Sequence, residues 1–155
     1  MRPAHTGNEA RLMNTYTIDT IRTGDTASFT RTVDEAWFAQ FLSISGDDNP
    51  LHTEASYAHA QGFRDRVLYG MCTASLYSTL CGVYLPGKYC LLERCDAKFV
   101  RPVFAGDVLT VTGTVTEVDT RFRRVEIKAD IRNDRGEKVS RAKITAGFLD
   151  ESGDT

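Results

Sequence analysis

The chain has 155 residues, the length of one typical domain, and 41% of them are hydrophobic, which is enough for a core without disulfides or metals. The formal net charge is −2 and the two signs are interspersed, which argues against nucleic acid or an anionic membrane as the main partner. No apolar segment is as long as a membrane span, and the N-terminus lacks the apolar core of a signal peptide. We therefore expect a cytoplasmic protein.

The chain begins with a polar segment and two extended pieces. Residues 1–14 are polar and irregular and are expected to be disordered, so the single domain is predicted to span residues 15–150. Between Thr15 and Thr32, β-branched and apolar residues are interrupted by Thr23-Gly24-Asp25. This pattern predicts a short strand, a turn and a second extended piece.

An amphipathic helix is predicted to follow. Thr32 and Glu35 have the spacing of a capping box, which makes Thr32 the expected N-cap. Gly46 can adopt the left-handed conformation that ends a helix. One apolar face is predicted from residues that recur at helical spacing, namely Trp37, Phe38, Phe41 and Leu42.

The stretch Ser43–His52 carries the strongest indication of chemistry, because aspartates, an asparagine, a proline and a histidine lie between two apolar runs. Asn49-Pro50 disfavours helix at position 49 and forces a turn. We therefore expect a rigid loop that holds Asp47 close to His52. A carboxylate beside an imidazole is a general acid/base pair that can hold one water. An ordinary polar loop is the alternative, but a plain turn needs no imidazole.

Three basic side chains after this loop are best explained without catalysis. His59 is expected to be packed or solvated near the end of a short helical turn. Arg64 and Arg66 lie in a polar loop, where they could meet a phosphate, but surface arginines are common.

The stretch from Gly70 to Leu85 is the most apolar helix candidate and contains no charged residue. Because apolar side chains occur on nearly all faces, the helix is predicted to be buried, and Pro86-Gly87 is predicted to end it. Gly70 would open this helix, so its backbone N–H would lack a helical partner and lie at the positive end of the helix dipole.

The cysteine spacing argues against a zinc site. Cys72, Cys81, Cys90 and Cys95 form no Cys-x-x-Cys pair, and the three histidines do not interleave with them. Cys72 and Cys81 fall in the apolar run and are predicted to be small core residues in a reducing compartment.

After this helix the hydrophobic period changes from 3.6 to 2 residues, which predicts strands with one buried and one solvated face. The hairpin turn Asn133-Asp134-Arg135-Gly136 lies between two of them. The economical solution is an α+β fold in which a curved antiparallel sheet wraps around the buried helix, and a dimer would cover the sheet edges. The alternating segments are 94–99, 109–115, 124–131 and 142–148.

Three blocks of the sequence resemble the MaoC-like (R)-specific enoyl-CoA hydratases, also called hydratase 2, which have the hotdog fold. The blocks are Ser45–His52, Leu68–Met71 and Phe99–Asp107, and the resemblance covers about residues 30–148. It implies a hotdog dimer that interconverts trans-2-enoyl thioesters and (3R)-hydroxyacyl thioesters. The expected carrier is CoA, with acyl carrier protein left open, and no cofactor or metal is expected.

The resemblance also implies roles for individual residues. Asp47 and His52 match the catalytic pair of the family, and Gly70 matches the glycine whose backbone N–H polarises the thioester carbonyl. The residues predicted to contact substrate are Asn49, Tyr69, Met71 and Ser78. Tyr69 departs from the family, which commonly has histidine there, and Ser78 has an alternative as a helix serine that bonds its own backbone.

Two other functions remain open from the sequence. One is a non-catalytic protein that binds acyl thioesters. The feature that supports it is Tyr69, because the family commonly has histidine at that position. The other is a hotdog thioesterase, which is disfavoured because residues 70–85 contain no carboxylate to drive hydrolysis. A DNA-binding regulator is disfavoured because residues 1–30 offer no helix-turn-helix pattern and no basic cluster.

Overall fold

The computed structural model describes residues 12–153. Four helices lie between the first and second strands, and the last of them continues into a π-helical turn at Leu80–Tyr84. The helices are α1 (Ala36–Ser45), α2 (Pro50–Thr53), α3 (Ala55–Ala60) and α4 (Gly70–Thr79). The strands are β1 (Thr26–Thr32), β2 (Cys90–Phe99), β3 (Val108–Asp119), β4 (Arg124–Arg132) and β5 (Lys138–Phe148), and a 3₁₀ turn follows at Glu151–Gly153.

The five strands form one antiparallel sheet in the order β1-β3-β4-β5-β2. Burial alternates along β3 and β4, so each strand turns one apolar row inward and one polar row outward. The inward rows share one hydrophobic core with buried residues of α4, among them Leu76 and Tyr77. The predicted curved sheet around a buried helix is therefore confirmed.

The central helix is buried on one side rather than all round. Cys72, Thr73, Leu76 and Tyr77 are buried on α4, and Leu80 and Cys81 continue this side into the π-helical turn. The side chains at positions 71, 75 and 78 form an exposed stripe along the same helix. The prediction of burial on nearly all faces is wrong for the single chain, because one sheet covers one side of a helix.

The predicted capping box does not form. Pairing of β1 with β3 continues through Thr32, which keeps that residue extended, and α1 begins only at Ala36. The Asp34 carboxylate accepts a hydrogen bond from the Ala36 N–H at 2.8 Å. Glu35 instead forms an ion pair with Arg66. The sheet register therefore overrides the local capping signal.

The first short strand predicted after Thr15 is reduced to one antiparallel bridge, between Thr15 and Gly87. The chain then turns, because the Thr20 hydroxyl accepts a hydrogen bond from the Thr17 N–H at 2.8 Å and the Thr20 N–H donates to the Thr17 carbonyl. Such side-chain bonds to the backbone compete with strand pairing. The second extended piece forms β1, as predicted.

Most of the segment expected to be disordered, residues 1–11, lies outside the described residues. Asn14, near the end of that segment, is attached to the turn that ends the central helix. Its N–H donates to the Val83 carbonyl at 2.9 Å, and its side-chain amide donates to the Tyr84 carbonyl at 2.7 Å.

Strand β2 lies at one end of the sheet and is exposed on both faces. The alternation over residues 94–99 predicted one buried face, which is wrong for the single chain, because Ala97 is the one residue of that segment that other elements partly cover. The apolar side chains exposed along β2 are Leu91, Leu92 and Phe99, which are 51%, 41% and 46% exposed. We call these three residues the β2 edge surface.

The helix and the sheet approach most closely at Gly113 in β3. A Cβ atom at this position would lie 2.7 Å from Leu80 Cδ2 and 3.3 Å from Ile127 Cγ2. Both neighbouring side chains are fully enclosed, with 0% and 1% exposure, so neither can move into solvent. Glycine at this position therefore sets the distance between the central helix and the sheet.

We expect Gly113→Ala to lower the free energy of unfolding by about 1–3 kcal/mol, because the added methyl overpacks the core. The matched control is Gly82→Ala, where a Cβ would meet nothing within 4 Å. Because Gly82 lies in a helical segment, the control is expected to gain up to about 1 kcal/mol. Urea denaturation of both variants measures the difference, and equal stabilities would contradict the packing.

Candidate active site

The loop after α1 is folded by hydrogen bonds from its own polar residues. Gly46 ends α1 with φ of 70°, and its N–H donates to the Leu42 carbonyl. The Asp47 carboxylate accepts from the Asn49 N–H at 3.1 Å, and the Asn49 side chain accepts from the Leu51 N–H at 3.0 Å, which caps α2. The predicted helix end at Gly46 and the predicted turn at Asn49-Pro50 are both confirmed.

His52 is held in one orientation and one tautomer. Its Nδ1 lies 2.6 Å from the backbone carbonyl oxygen of Val67. A carbonyl oxygen can only accept, so Nδ1 carries the hydrogen and Nε2 of the neutral ring keeps its lone pair. The imidazole also stacks on the Tyr69 ring, with 4.1 Å between centroids and 29° between planes.

Tyr69 connects both ends of the loop to the start of the central helix. The residue is 2% exposed and directly precedes Gly70. Its hydroxyl donates to the backbone carbonyl of Asp47 at 2.8 Å, while His52 packs against its ring. Burial raises the pKa of Tyr69, and the negative charge of Asp47 raises it further, so the phenol stays protonated and able to donate.

His52 and Gly70 line one cavity of about 330 Å³ at the head of α4. The Gly70 N–H belongs to the first turn of the helix and lies at the positive end of its dipole. The cavity therefore combines an imidazole and a helix N-terminus with mostly apolar walls. Those walls include Val67, Leu68, Phe99, Val100, Pro102 and Val139.

The other predicted site residues lie outside this cavity lining in the single chain. Asp47 and Asn49 are exposed in the loop, and Tyr69 is buried behind it. Met71 is 65% exposed, and Ser78 is exposed two turns further along the same side of the helix. The structure thus brings His52 and Gly70 together in the cavity and links Asp47 to them through Tyr69.

Comparison with known proteins connects this arrangement with one family. Residues 19–136 match the family model described as MaoC like domain. The chain belongs to the MaoC-like domain family. An (R)-specific enoyl-CoA hydratase from Rhodospirillum rubrum is 36% identical over 96 residues, which cover 62% of this chain and 67% of that protein. A second one, from Aeromonas caviae, is 35% identical over 96 residues, covering 62% and 72%.

Two solved (R)-hydratase structures have the same fold. The unliganded R-hydratase PhaJ1 from Pseudomonas aeruginosa superposes with a TM-score of 0.80 and 29% identity, covering 87% of this chain and 86% of that one. The (R)-hydratase from A. caviae involved in PHA biosynthesis also has a TM-score of 0.80, with 28% identity and coverage of 84% and 98%. The hotdog fold predicted from the sequence is therefore confirmed.

Sequence reasoning gave no role to several residues of this MaoC-like cavity. Thr73 lines it from one helical turn beyond Gly70, a spacing that could have been noticed. Phe99 and Val100 line it from the end of β2, within a block that carried the resemblance. Val139 comes from β5, and nothing in the sequence indicates that it lies beside a helix start so distant along the chain.

Arg64 and Arg66, the two loop arginines, each form an ion pair and lie over an aromatic ring. Arg64 forms an ion pair with Asp107 at 3.2 Å and lies over the Phe104 ring at 4.0 Å. Arg66, which pairs with Glu35, lies over the Phe38 ring at 4.6 Å.

A larger concavity of about 790 Å³ lies on the outer face of the sheet, away from the loop and the head of α4. Its walls alternate threonine, lysine, arginine and aspartate side chains of β2 to β5. This is the pattern of a solvated sheet face, so we place the candidate site in the smaller cavity.

Two further findings concern metals and membranes. Among residues 12–153, no group of three or more His, Cys, Asp or Glu side chains is arranged to hold a metal ion. Within the same residues, no helix is long and apolar enough to cross a bilayer.

Cys72 and Cys81 are buried free thiols, as predicted.

The two described histidines are expected to differ in tautomer. The ring of His52 should carry its hydrogen on Nδ1, whereas His59 should carry it on Nε2, which lies 3.0 Å from the Arg64 carbonyl. Long-range proton–nitrogen correlation spectra, recorded where both rings are neutral and assigned with His52→Ala, distinguish the tautomers. Finding Nε2–H on His52 would contradict the proposed free lone pair.

Proposed function

We propose that this chain is an (R)-specific hydratase/dehydratase that interconverts trans-2-enoyl thioesters and (3R)-hydroxyacyl thioesters, with CoA as the carrier. The observation that carries the proposal is the shared cavity of His52 and Gly70, with Asp47 attached to it through Tyr69. The relatives named above as (R)-specific enoyl-CoA hydratases support the reaction class. A 3-hydroxybutyryl-CoA dehydratase from Methylorubrum extorquens, 33% identical over 87 residues, supports the reverse direction.

Conjugate addition of water to an enoyl thioester needs a base for the water, an acid for the α carbon, and stabilisation of the charge that develops on the thioester oxygen. The water oxygen bonds to the β carbon, and a proton is delivered to the α carbon. No oxidant or reductant is required, because the reaction adds or removes only water. The proposal therefore requires neither a metal nor a redox cofactor.

In this proposal, His52 and Asp47 bind the attacking water between them. The Nε2 lone pair of His52 is available because Nδ1 is bonded to the Val67 carbonyl. The pair accepts one proton from the water as the water oxygen bonds to the β carbon, and it delivers that proton to the α carbon, so both groups end in their starting protonation states; such proton transfer contributes about 10²–10⁴ in rate. In the dehydration direction the same transfers run in reverse.

The Gly70 N–H is assigned to the thioester oxygen. A backbone donor at a helix start, aimed at a developing enolate, contributes roughly 3–4 kcal/mol to transition-state stabilisation. Glycine also allows close approach of the substrate to the backbone. A Cβ of residue 70 would stand in ordinary contact with the Phe99 ring, at 3.4 Å. A side chain at position 70 would fill the space between the ring and the helix start.

We also propose that two copies of the chain form a homodimer through the β2 edge surface. One edge of β2 has no strand partner within the described sheet, and its exposed leucines are unusual for a solvated edge. Pairing two β2 strands would join the sheets and cover Leu91 and Leu92. Phe99, which belongs to both the β2 edge surface and the cavity, would then lie at the subunit boundary.

One observation favours a second candidate, a protein that binds acyl thioesters without turnover. The Asp47 carboxylate is exposed and does not line the cavity in the single chain, so the cavity itself contains only the imidazole as an acid or base. This candidate predicts acyl-CoA binding by calorimetry with no change in the ligand.

The direct test of the hydratase is the loss of the conjugated-enoyl absorbance of crotonyl-CoA on adding purified protein. Asp47→Asn and His52→Ala are each expected to lower kcat by at least about 100-fold, because each removes a proton-transfer group. Asp48→Asn is the matched control, since Asp48 is the adjacent exposed loop carboxylate and has no assigned role.

Full activity in both the Asp47 and His52 variants would remove the pair from the mechanism. Binding of crotonyl-CoA without loss of absorbance would favour the binding protein, and release of free thiol would favour a thioesterase. Chiral analysis of the product tests the (3R) assignment.

The dimer is tested by light scattering coupled to size exclusion. The wild-type chain of 17.2 kDa is expected to elute at about twice that mass. Leu91→Glu should shift it to the monomer, because the new charge would be buried against the second copy. Ile44→Glu, which alters an equally apolar residue 83% exposed on α1, should remain dimeric. A monomeric wild-type protein would overturn the assignment.

A further inference from the structure

We propose that Tyr69 is a positioning residue that holds Asp47 and His52 in their working arrangement through one hydrogen bond and one ring stack. This inference rests on the proposed function, since it concerns the two residues assigned to water activation. It differs from the role expected from the sequence, which was contact with substrate. The side chain is 2% exposed and is absent from the cavity lining, so it supports the site from behind.

The Tyr69 side chain is enclosed by the groups that it positions. Its ring lies between two aromatic rings, with centroids 4.1 Å from His52 and 4.8 Å from Phe41. Its hydroxyl reaches past them to the backbone carbonyl of Asp47 at 2.8 Å. One rigid side chain thus contacts α1, the loop and α2. The residue that carries it occupies the N-cap position of α4, directly before Gly70.

The loop at Asp47 has little else to hold it. Residues 43–49 are all exposed, so packing does not restrain them. The Asp47 N–H donates to Ser45 Oγ at 3.2 Å, and the Asp47 carboxylate accepts from Asn49, so these bonds stay within the loop. The other described hydrogen bonds to residues 46–49 come from within residues 41–53. Among the described residues, the Tyr69 hydroxyl is the one group outside that segment that hydrogen-bonds to residues 46–49.

The His52 ring is restrained at two points that complement each other. The bond from Nδ1 to the Val67 carbonyl fixes the tautomer and one edge of the imidazole. The stack on Tyr69 fixes the plane of the ring, which a single hydrogen bond leaves free to rotate. Together they determine the direction in which Nε2 points, and a catalytic geometry lost by about 1 Å can cost on the order of 100-fold in rate.

Two substitutions separate the hydroxyl from the ring. Tyr69→Phe removes the bond to Asp47 and keeps the stack on His52, whereas Tyr69→Leu removes both. The matched control is Tyr77→Phe on the same helix, which deletes another buried hydroxyl whose partner is Ser140 Oγ at 2.9 Å. Tyr77 is 1% exposed and does not line the cavity, so its variant reports the general cost of losing a buried tyrosine hydrogen bond.

The kinetic readout uses crotonyl-CoA and compares kcat with KM. Tyr69→Phe is expected to lower kcat about five- to tenfold, the equivalent of one lost hydrogen bond, with KM changed less than twofold. Tyr69→Leu should lower kcat further, while Tyr77→Phe should match the wild type. An unchanged kcat in Tyr69→Phe, or a raised KM with unchanged kcat, would overturn the positioning role, the latter in favour of direct contact with substrate.

Nuclear magnetic resonance provides a readout that does not depend on turnover. Nitrogen relaxation should show greater motion of residues 46–49 in Tyr69→Phe than in the wild type or Tyr77→Phe. The ring protons of His52 should be shifted upfield by the stack in the wild type and in Tyr69→Phe, and should lose that shift in Tyr69→Leu. A wild-type protein without hydratase activity would remove the proposed function, whereas unchanged relaxation and ring shifts in the Tyr69 variants would remove the positioning role.

Discussion

The contact between the central helix and the inner face of the sheet is the constraint on which the candidate site depends. Leu80 fits against Gly113, and the sheet holds the α4 side that carries Leu76 and Tyr77. Because a close-packed core permits few alternative placements, this contact also fixes the opposite end of the helix. Gly70 therefore stands at a defined place beside Phe99, where a helix N-terminus faces a cavity with apolar walls.

The loop that carries Asp47 and His52 lies on this framework but is not part of the core. Its polar residues bond to one another, and its hydrogen bonds to the rest of the chain include those from Tyr69 to Asp47, from His52 to the Val67 carbonyl, and from the Val67 N–H to the Leu51 carbonyl. The candidate residues Asp47 and His52 therefore lie on a locally folded turn, while Tyr69, which contacts both, lies at the start of the packed helix α4. This arrangement also explains why the residue before Gly70 is a buried aromatic with a polar tip, which can pack and donate at the same time.

Much of the fold could be predicted because its signals are local or strictly periodic. The alternation along β3 and β4, the helix end at Gly46 and the turn at Asn49-Pro50 depend on neighbouring residues alone. The capping box at Thr32 failed because sheet pairing overrode it. The buried faces expected for β2 and for all sides of the central helix failed because burial depends on what another element or another copy of the chain covers.

The sequence by itself determined the order of helix and strands, the loop chemistry around Asp47 and His52, and the family to which the three motif blocks belong. Only the tertiary structure decided that His52 bonds Val67 through Nδ1 and that Tyr69 packs behind the site instead of lining it. The His52 bond joins residues 15 positions apart in the chain. The placement of Tyr69 depends on which side of the packed helix faces the cavity. Residue order does not specify such contacts until the core has closed around the central helix.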